Sequence, residues 1–159
     1  MGVAGCGKST VGAALAAAMQ AVYIDGDDLH PPGNIAKMAK GLALDDADRA
    51  PWLDLVGQRL ALGPAPIIVG CSALKRLYRD RIRAAGGAVV FVHLAGSRAV
   101  IEARMAARTG HFMPLSLLDS QFAALEPPAP DEASVTVDID QPLESVVSAI
   151  QSALGDLQG

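Results

Sequence analysis

The residues Gly2-Val3-Ala4-Gly5-Cys6-Gly7-Lys8-Ser9 spell G-x-x-x-x-G-K-S/T. In a chain of this composition the pattern arises by chance on the order of a few times in a thousand, and it dictates a local fold, because such a loop joins a buried strand to a helix. Glycines at both ends let the backbone curl so that successive N–H groups converge on phosphate oxygens. Lys8 reaches the β- and γ-phosphates, and the Ser9 hydroxyl is suited to Mg²⁺. Residues Gly2 to Thr10 are therefore expected to hold a nucleoside triphosphate. Only Met1 precedes the loop, so the strand expected to aim it is nearly absent from the sequence.

Beyond the loop, buried strands alternate with helices. Val11, Leu15 and Met19 recur every four residues and predict the loop's own helix, from Gly7 to Met19. Val22-Tyr23-Ile24, Ile67-Ile68-Val69, Ala88 to Leu94 and Val135 to Ile139 read as strands. The segments Asn34 to Lys40, Asp45 to Leu62 (bending at Pro51), Leu74 to Ala84, Ser97 onward and Pro142 to Leu157 read as helices. Thr109 to Pro114 breaks the helical pattern and Leu115 to Leu125 resumes it, which predicts a lid near residues 105–125. Such alternation implies a parallel sheet with helices on both faces, in a single domain spanning residues 1–159. With 51% hydrophobic residues in 159, one sizeable core is expected.

In open parallel sheets ligands bind beyond the carboxyl ends of the strands, where the polar residues of this chain fall. Asp25-Gly26-Asp27 follows the first apolar run, Cys71-Ser72 the second, and Asp140-Gln141 the last. A carboxylate beside the terminal phosphate held by Lys8 suits phosphoryl transfer, which needs positioning and charge neutralisation more than covalent chemistry. Asp25 is expected to hold Mg²⁺ through water, together with Ser9, and Asp27 to accept the proton of the attacking hydroxyl. Arg104 and Arg108 lie four apart on one helical face before the lid, placing two cations over the triphosphate. His30 and His111 divide evenly between structural and ligand roles, His93 reads as core, and Trp52 as core or pocket wall.

The formal net charge of −4 gives no general attraction to nucleic acid or to an anionic membrane. No stretch is long and apolar enough to span a bilayer. Nine of thirteen basic residues are arginines, clustered around residues 75–83 and 98–108, which points to small anionic ligands. Cys6 and Cys71 show no paired spacing, which suits a reduced, cytoplasmic setting. The apolar run after Lys8, which superficially suggests a signal peptide, is accounted for by the loop helix.

With these pieces placed, the chain resembles the gluconokinase family, phosphate-loop kinases related in fold to shikimate kinase. The resemblance runs through the phosphate loop, Asp25-Gly26-Asp27-Asp28-Leu29-His30-Pro31, Asn34-Ile35-Ala36-Lys37-Met38 with Gly41, Asp46, Asp48-Arg49, Pro51-Trp52-Leu53, Cys71-Ser72-Ala73-Leu74-Lys75, Tyr78-Arg79-Asp80, Arg104, Arg108, Gly110-His111-Phe112, Ser120-Gln121-Phe122, Leu125-Glu126 and Asp138 to Glu144. It implies a three-layer kinase fold with strand order 2-3-1-4-5 and a lid, and ATP- and Mg²⁺-dependent phosphorylation of D-gluconate on its terminal hydroxyl. It further implies catalytic roles for Lys8, Asp27 and Arg108. The sugar acid would be held by Asp27, His30, Arg49, Lys75 and Arg79, the adenine by Arg104 and Pro142. The partners implied are small molecules, and the family admits a homodimer. Three departures stand out: Cys6 where the family commonly has serine, which would set a thiol near phosphate, the extra carboxylate of Asp28, and the missing first strand. A shikimate-type kinase and an inactive nucleotide-binding remnant are the alternatives.

Overall fold

The computed structural model describes residues 1–63, 66–107 and 115–157. Helix α1 (Lys8–Met19) leaves the phosphate loop at Gly7, whose φ of 93° and ψ of 23° turn the chain from loop into helix in a conformation that glycine adopts without steric cost. Strand β1 (Val22–Asp25) runs into a 3₁₀ turn (Gly26–Leu29), followed by α2 (Pro32–Ala39) and α3 (Asp46–Ala61). A reciprocal cap starts α3: the Asp45 carboxylate accepts from the Asp48 N–H at 2.8 Å and the Asp48 carboxylate from the Asp45 N–H at 2.9 Å. The helix continues through Pro51.

Strand β2 (Ile67–Gly70) and α4 (Arg76–Gly86) come next, then β3 (Phe91–Ala95), α5 (Arg98–Ala106), α6 (Leu115–Ala124), β4 (Ser134–Asp138) and α7 (Leu143–Asp156). Strand β3 starts three residues later than the apolar run suggests. Gly87 takes a positive φ of 73° after α4, and the Val89 N–H turns back to the Gly87 carbonyl, which keeps Ala88 to Val90 out of the ladder.

Strands β1 and β2 pair in parallel from Val22 with Ile67 to Asp25 with Gly70, and β3 and β4 from Phe91 with Ser134 to Ala95 with Asp138. Met1 and Gly2 lie between the two pairs. The Met1 amine donates to the Val92 carbonyl, the Leu94 N–H donates to the Met1 carbonyl at 3.0 Å, and the Gly2 N–H donates to the Ser72 carbonyl at 3.1 Å. The spatial order is thus β1, β2, the Met1-Gly2 stub, β3, β4. Among the described residues the strands form two separate parallel pairs rather than one continuous five-stranded sheet, with Met1 and Gly2 bonded to the segments on either side.

Both faces are covered. Val11 and Leu15 of α1 and Val146 and Ile150 of α7 pack with Leu94, Val135 and Val137 on one side. Trp52, Leu53 and Val56 of α3 and Tyr78 and Ile82 of α4 pack with Phe91 on the other. Neighbours along a strand go to opposite layers, Ile68 to the first and Val69 to the second, which is why strands buried on both faces read as unbroken apolar runs. Among the described residues no helix is long and apolar enough to cross a membrane.

Candidate active site

The donor side is built from backbone. Gly5 has a φ of 80°, and a Cβ there would lie 2.7 Å from Met105 Cγ, so the tight approach of α5 to the loop requires glycine. Lys8 Nζ donates to the carbonyls of Gly2 and Val3, each at 3.1 Å, which places the ammonium across the mouth of the loop. A cavity of about 290 Å³ opens in front of Gly5, Gly7, Lys8 and Ser9 and is closed opposite by Asp25 and Asp27. Asp25, at the carboxyl end of β1, links both sides: Oδ2 accepts from Ser9 Oγ at 3.4 Å and Oδ1 from the Asp27 N–H at 3.1 Å. A hydroxyl and a carboxylate this close are hard oxygen donors of the kind Mg²⁺ takes alongside water and phosphate, so the residues present fit the ion.

The same loop borders a second cavity of about 290 Å³ on its far side, lined by Thr10, Arg104 and Gln141. The Arg104 guanidinium donates to the Ile139 carbonyl, and Pro142, the cap of α7, falls between the lining residues Gln141 and Leu143. Of the two residues expected at the adenine, Arg104 lines this pocket, and Pro142 is adjacent in sequence to two lining residues without lining it itself. Arg108 and His111 lie outside the described residues, as does the lid segment 108–114.

On the acceptor side, side chains from distant segments converge. The His30 ring stacks on Trp52 with centroids 4.2 Å apart, its Nδ1 lies 3.3 Å from Asn34 Nδ2, and Trp52 is pinned by its Nε1–H to the Gly26 carbonyl at 2.7 Å. Burial pushes the His30 pKa below its ordinary value, against the pull of the nearby Asp27 carboxylate, so His30 is neutral at pH 7. Trp52 is buried as expected of core, and it also backs His30. Arg49 and Lys75 both lie over the Tyr78 ring, 5.9 and 5.4 Å from its centroid. Lys75 donates to Asp46 at 2.9 Å and Tyr78 Oη donates to the same carboxylate, which lies below the usual range because of these two donors, the tyrosine first. Asp27, His30, Arg49, Asp46 and Lys75 thus form one chain of polar groups leading away from the donor cavity.

Arg79 departs from the expected substrate contact. Its guanidinium is fully buried and grips Glu132 with two bonds of 2.7 and 2.8 Å, with the third nitrogen on the carbonyls of Ala73 and Leu74. Arg83 adds a further bond to Glu132 at 2.7 Å, and the Glu132 carboxyl lies far below its usual range, chiefly through the Arg79 hydrogen bonds. Spacing alone puts Arg79 one helical turn beyond Lys75. The helix turns it inward, where it braces the loop after β2. Cys6 also points into the core beneath the loop, with no exposed surface, and is not a thiol beside phosphate. Burial raises the Cys71 thiol to about 11. His93 is buried in β3, as read from the sequence.

Gln121 on α6 is a site residue that sequence reasoning misses: it lines the donor cavity and its Oε1 accepts from the Ala4 N–H at 2.6 Å. No local spacing signals a contact across 117 residues. Asp46 and Tyr78 are likewise visible in the sequence only as parts of motifs.

No protein-family model matches the chain. It is 46% identical to the thermoresistant gluconokinase of Escherichia coli strain K12 over 154 residues, covering 94% of this chain and 87% of that protein. The crystal structure of a gluconokinase from Sinorhizobium meliloti 1021 superposes with a TM-score of 0.86 at 49% identity, covering 99% of this chain and 90% of the other. Shikimate kinase from Aquifex aeolicus shares the fold, with a TM-score of 0.64 at 19% identity over all of this chain and 96% of the other. With the phosphate loop, the acidic end of β1 and this level of identity over nearly the whole length, the chain belongs to the gluconokinase family.

Proposed function

We propose that this chain transfers the γ-phosphoryl group of ATP to the terminal hydroxyl of D-gluconate, giving 6-phosphogluconate and ADP. The observation that carries this reading is the position of Asp27, which borders the donor cavity and acts on His30 at the start of the acceptor chain of groups. The loop amides and Lys8 hold the β- and γ-phosphates and draw off the charge that develops as the bridging oxygen departs. Asp27 accepts the proton of the hydroxyl as its oxygen bonds to phosphorus, and the electron pair of the broken bond leaves on ADP. Ser9 and Asp25 would hold Mg²⁺, which supplies charge neutralisation at the β- and γ-oxygens when bound.

The acceptor groups suit a sugar acid. A carboxylate needs a cation, which Arg49 and Lys75 provide, and the chain of hydroxyls needs donors and acceptors such as neutral His30 and Asp27. Arg104 and the cap of α7 suit the adenine end. The buried thiols of Cys6 and Cys71 fit a reducing cytoplasm. A panel of hydroxylated acids, followed by coupled detection of ADP, tests the assignment. Turnover with gluconate well above that with shikimate is expected, whereas turnover with shikimate and none with gluconate would overturn it.

A further inference from the structure

The peptide unit between Val3 and Ala4 of the phosphate loop is held from both ends. Its carbonyl accepts from Lys8 Nζ at 3.1 Å, and its N–H donates to Gln121 Oε1 at 2.6 Å. The unit is trans, which turns its C=O and N–H opposite ways, so Lys8 and Gln121 stand on opposite sides of it. Both line the donor cavity. Lys8 brings a cation there, and Gln121 brings a neutral amide. A peptide N–H only donates, so the amide has to meet it with oxygen, and the nitrogen with its two N–H donors is the end left over. Among the described residues that nitrogen makes no hydrogen bond, although it belongs to a residue sharing the cavity with Asp25 and Asp27.

The helix that carries this amide is fixed along its length. Leu118, one turn before Gln121, has no exposed surface, and Phe122 packs against the same core as α1 and α7. Past the helix end, the Glu126 N–H donates to the Leu74 carbonyl at 2.9 Å, and the Glu126 carboxylate accepts from the Arg76 N–H at 2.6 Å. An amide whose oxygen and backbone are both anchored loses little freedom when its nitrogen finds a partner, so the donor is preorganised. The first amides of α1, from Lys8 onward, form the anion-binding end of a helix, and the Ala4 N–H, spent on Gln121, is not among them. Gln121 therefore supplies a donor to the cavity apart from that end.

We propose that Gln121 donates its side-chain N–H to an oxygen of the γ-phosphoryl group, an inference that rests on the phosphotransfer reading above. A phosphoryl group passing from the loop toward Asp27 spreads its charge over three equatorial oxygens, and a fixed donor there stabilises the group in transit. The same contact lets the site tell a nucleoside triphosphate from a diphosphate through α6, because the diphosphate has nothing for the amide to hold.

Two variants separate this role from simple bracing of the loop. Gln121→Glu keeps an oxygen for the Ala4 N–H and replaces the donor with a second anionic oxygen, whereas Gln121→Met keeps the length of the side chain and loses both. Binding of ADP and of a non-hydrolysable ATP analogue, each with Mg²⁺, is measured by calorimetry, beside circular dichroism and kcat with D-gluconate. Gln121→Glu is expected to bind ADP within about twofold of the parent chain and the analogue about tenfold or more weakly, the size of one hydrogen bond to a charged group. Its kcat should fall by about 10²-fold with the gluconate KM unchanged, as on removal of one transition-state donor. Parent-like binding of both nucleotides by Gln121→Glu would overturn the proposal. So would an equal loss of ADP and analogue, the mark of a residue that only shapes the loop. If Gln121→Glu does not fold, the same ratio of affinities in Gln121→Met decides. Neither affinity needs an acceptor, so a parent chain that discriminates the nucleotides as described but does not turn over gluconate would sink the gluconate assignment and leave this one standing.

Discussion

Eight consecutive residues build the proposed donor side of the site, whereas the proposed acceptor side gathers His30 after β1, Arg49 on α3 and Lys75 before α4. The phosphate-holding part of the proposed donor side rests mainly on backbone amides and Lys8, so its geometry is fixed wherever the glycines allow the loop to close. The acceptor side works through side chains held by other side chains: Trp52 and Asn34 hold His30, and Asp46 with Tyr78 holds Lys75. A backbone site tolerates change around it and fails at a few positions. A side-chain site degrades gradually, one contact at a time.

The sharpest way to break this contrast is Lys8→Ala, expected to lower kcat by about 10⁴-fold with the fold kept, since charge on the transferring phosphoryl group has no substitute in the loop. Steady-state kinetics beside circular dichroism would check it, and activity near that of the parent chain would remove Lys8 from the donor side. Asp27→Asn, where the two sides meet, should cost about 10³-fold in kcat while leaving both KM values within about twofold, because only proton acceptance is lost. Retained turnover would place the base elsewhere.

Arg79→Met sharpens the comparison from outside. Removing the fully buried partner leaves the buried Glu132 with Arg83 as its one remaining cation among the described residues, a loss of up to about 3–5 kcal/mol by the usual measure of such pairs. Denaturant unfolding should show that loss while the KM for gluconate in the remaining folded protein stays unchanged. A raised gluconate KM with full stability would return Arg79 to the acceptor side.

Both sides also carry a group whose charged form burial disfavours: the Met1 amine, lowered from 8.0 to about 6, and His30, lowered from 6.5. Between pH 6 and 8 the unfolded chain keeps the amino-terminal proton that the folded chain has released, so stability is fully present above pH 8 and is lost as pH falls toward 6. The Met1 contribution is about 3 kcal/mol, and His30 and His93 add the same sign below about pH 6.5. Tm should therefore rise from pH 6 to pH 8, and acetylating the amine should remove most of the slope above about pH 6.5. A flat profile would contradict burial of the amine. The smallest effect is expected from Arg49→Ala, a gluconate KM raised about tenfold with the ATP KM within about twofold, the size of one charged hydrogen bond. The reverse ranking would take Arg49 out of the acceptor side.

The same contrast separates what is legible in the sequence from what is not. The phosphate loop, α1 and the succession of strands are legible because each rests on local pattern: glycine spacing, a four-residue apolar repeat, apolar runs ended by polar residues. The expected strand order and the expected adenine contacts of Arg104 and Pro142 come through family resemblance. Arg79 is expected at the substrate through the family resemblance, and nothing local in the sequence shows that its helix turns it inward, because the buried partner that decides its role, Glu132, lies 53 residues away. Gln121 and the Asp46–Tyr78 contact escape for the same reason.

The most direct test of the central claim is ³¹P NMR of the reaction of ATP, Mg²⁺ and D-gluconate with this protein, in a preparation whose folding has been verified. The account predicts loss of the γ-phosphate signal matched by ADP and a phosphomonoester on the terminal carbon of gluconate, both absent with Asp27→Asn on the same timescale. Release of inorganic phosphate without a sugar phosphate, or an ester on another carbon, would contradict it.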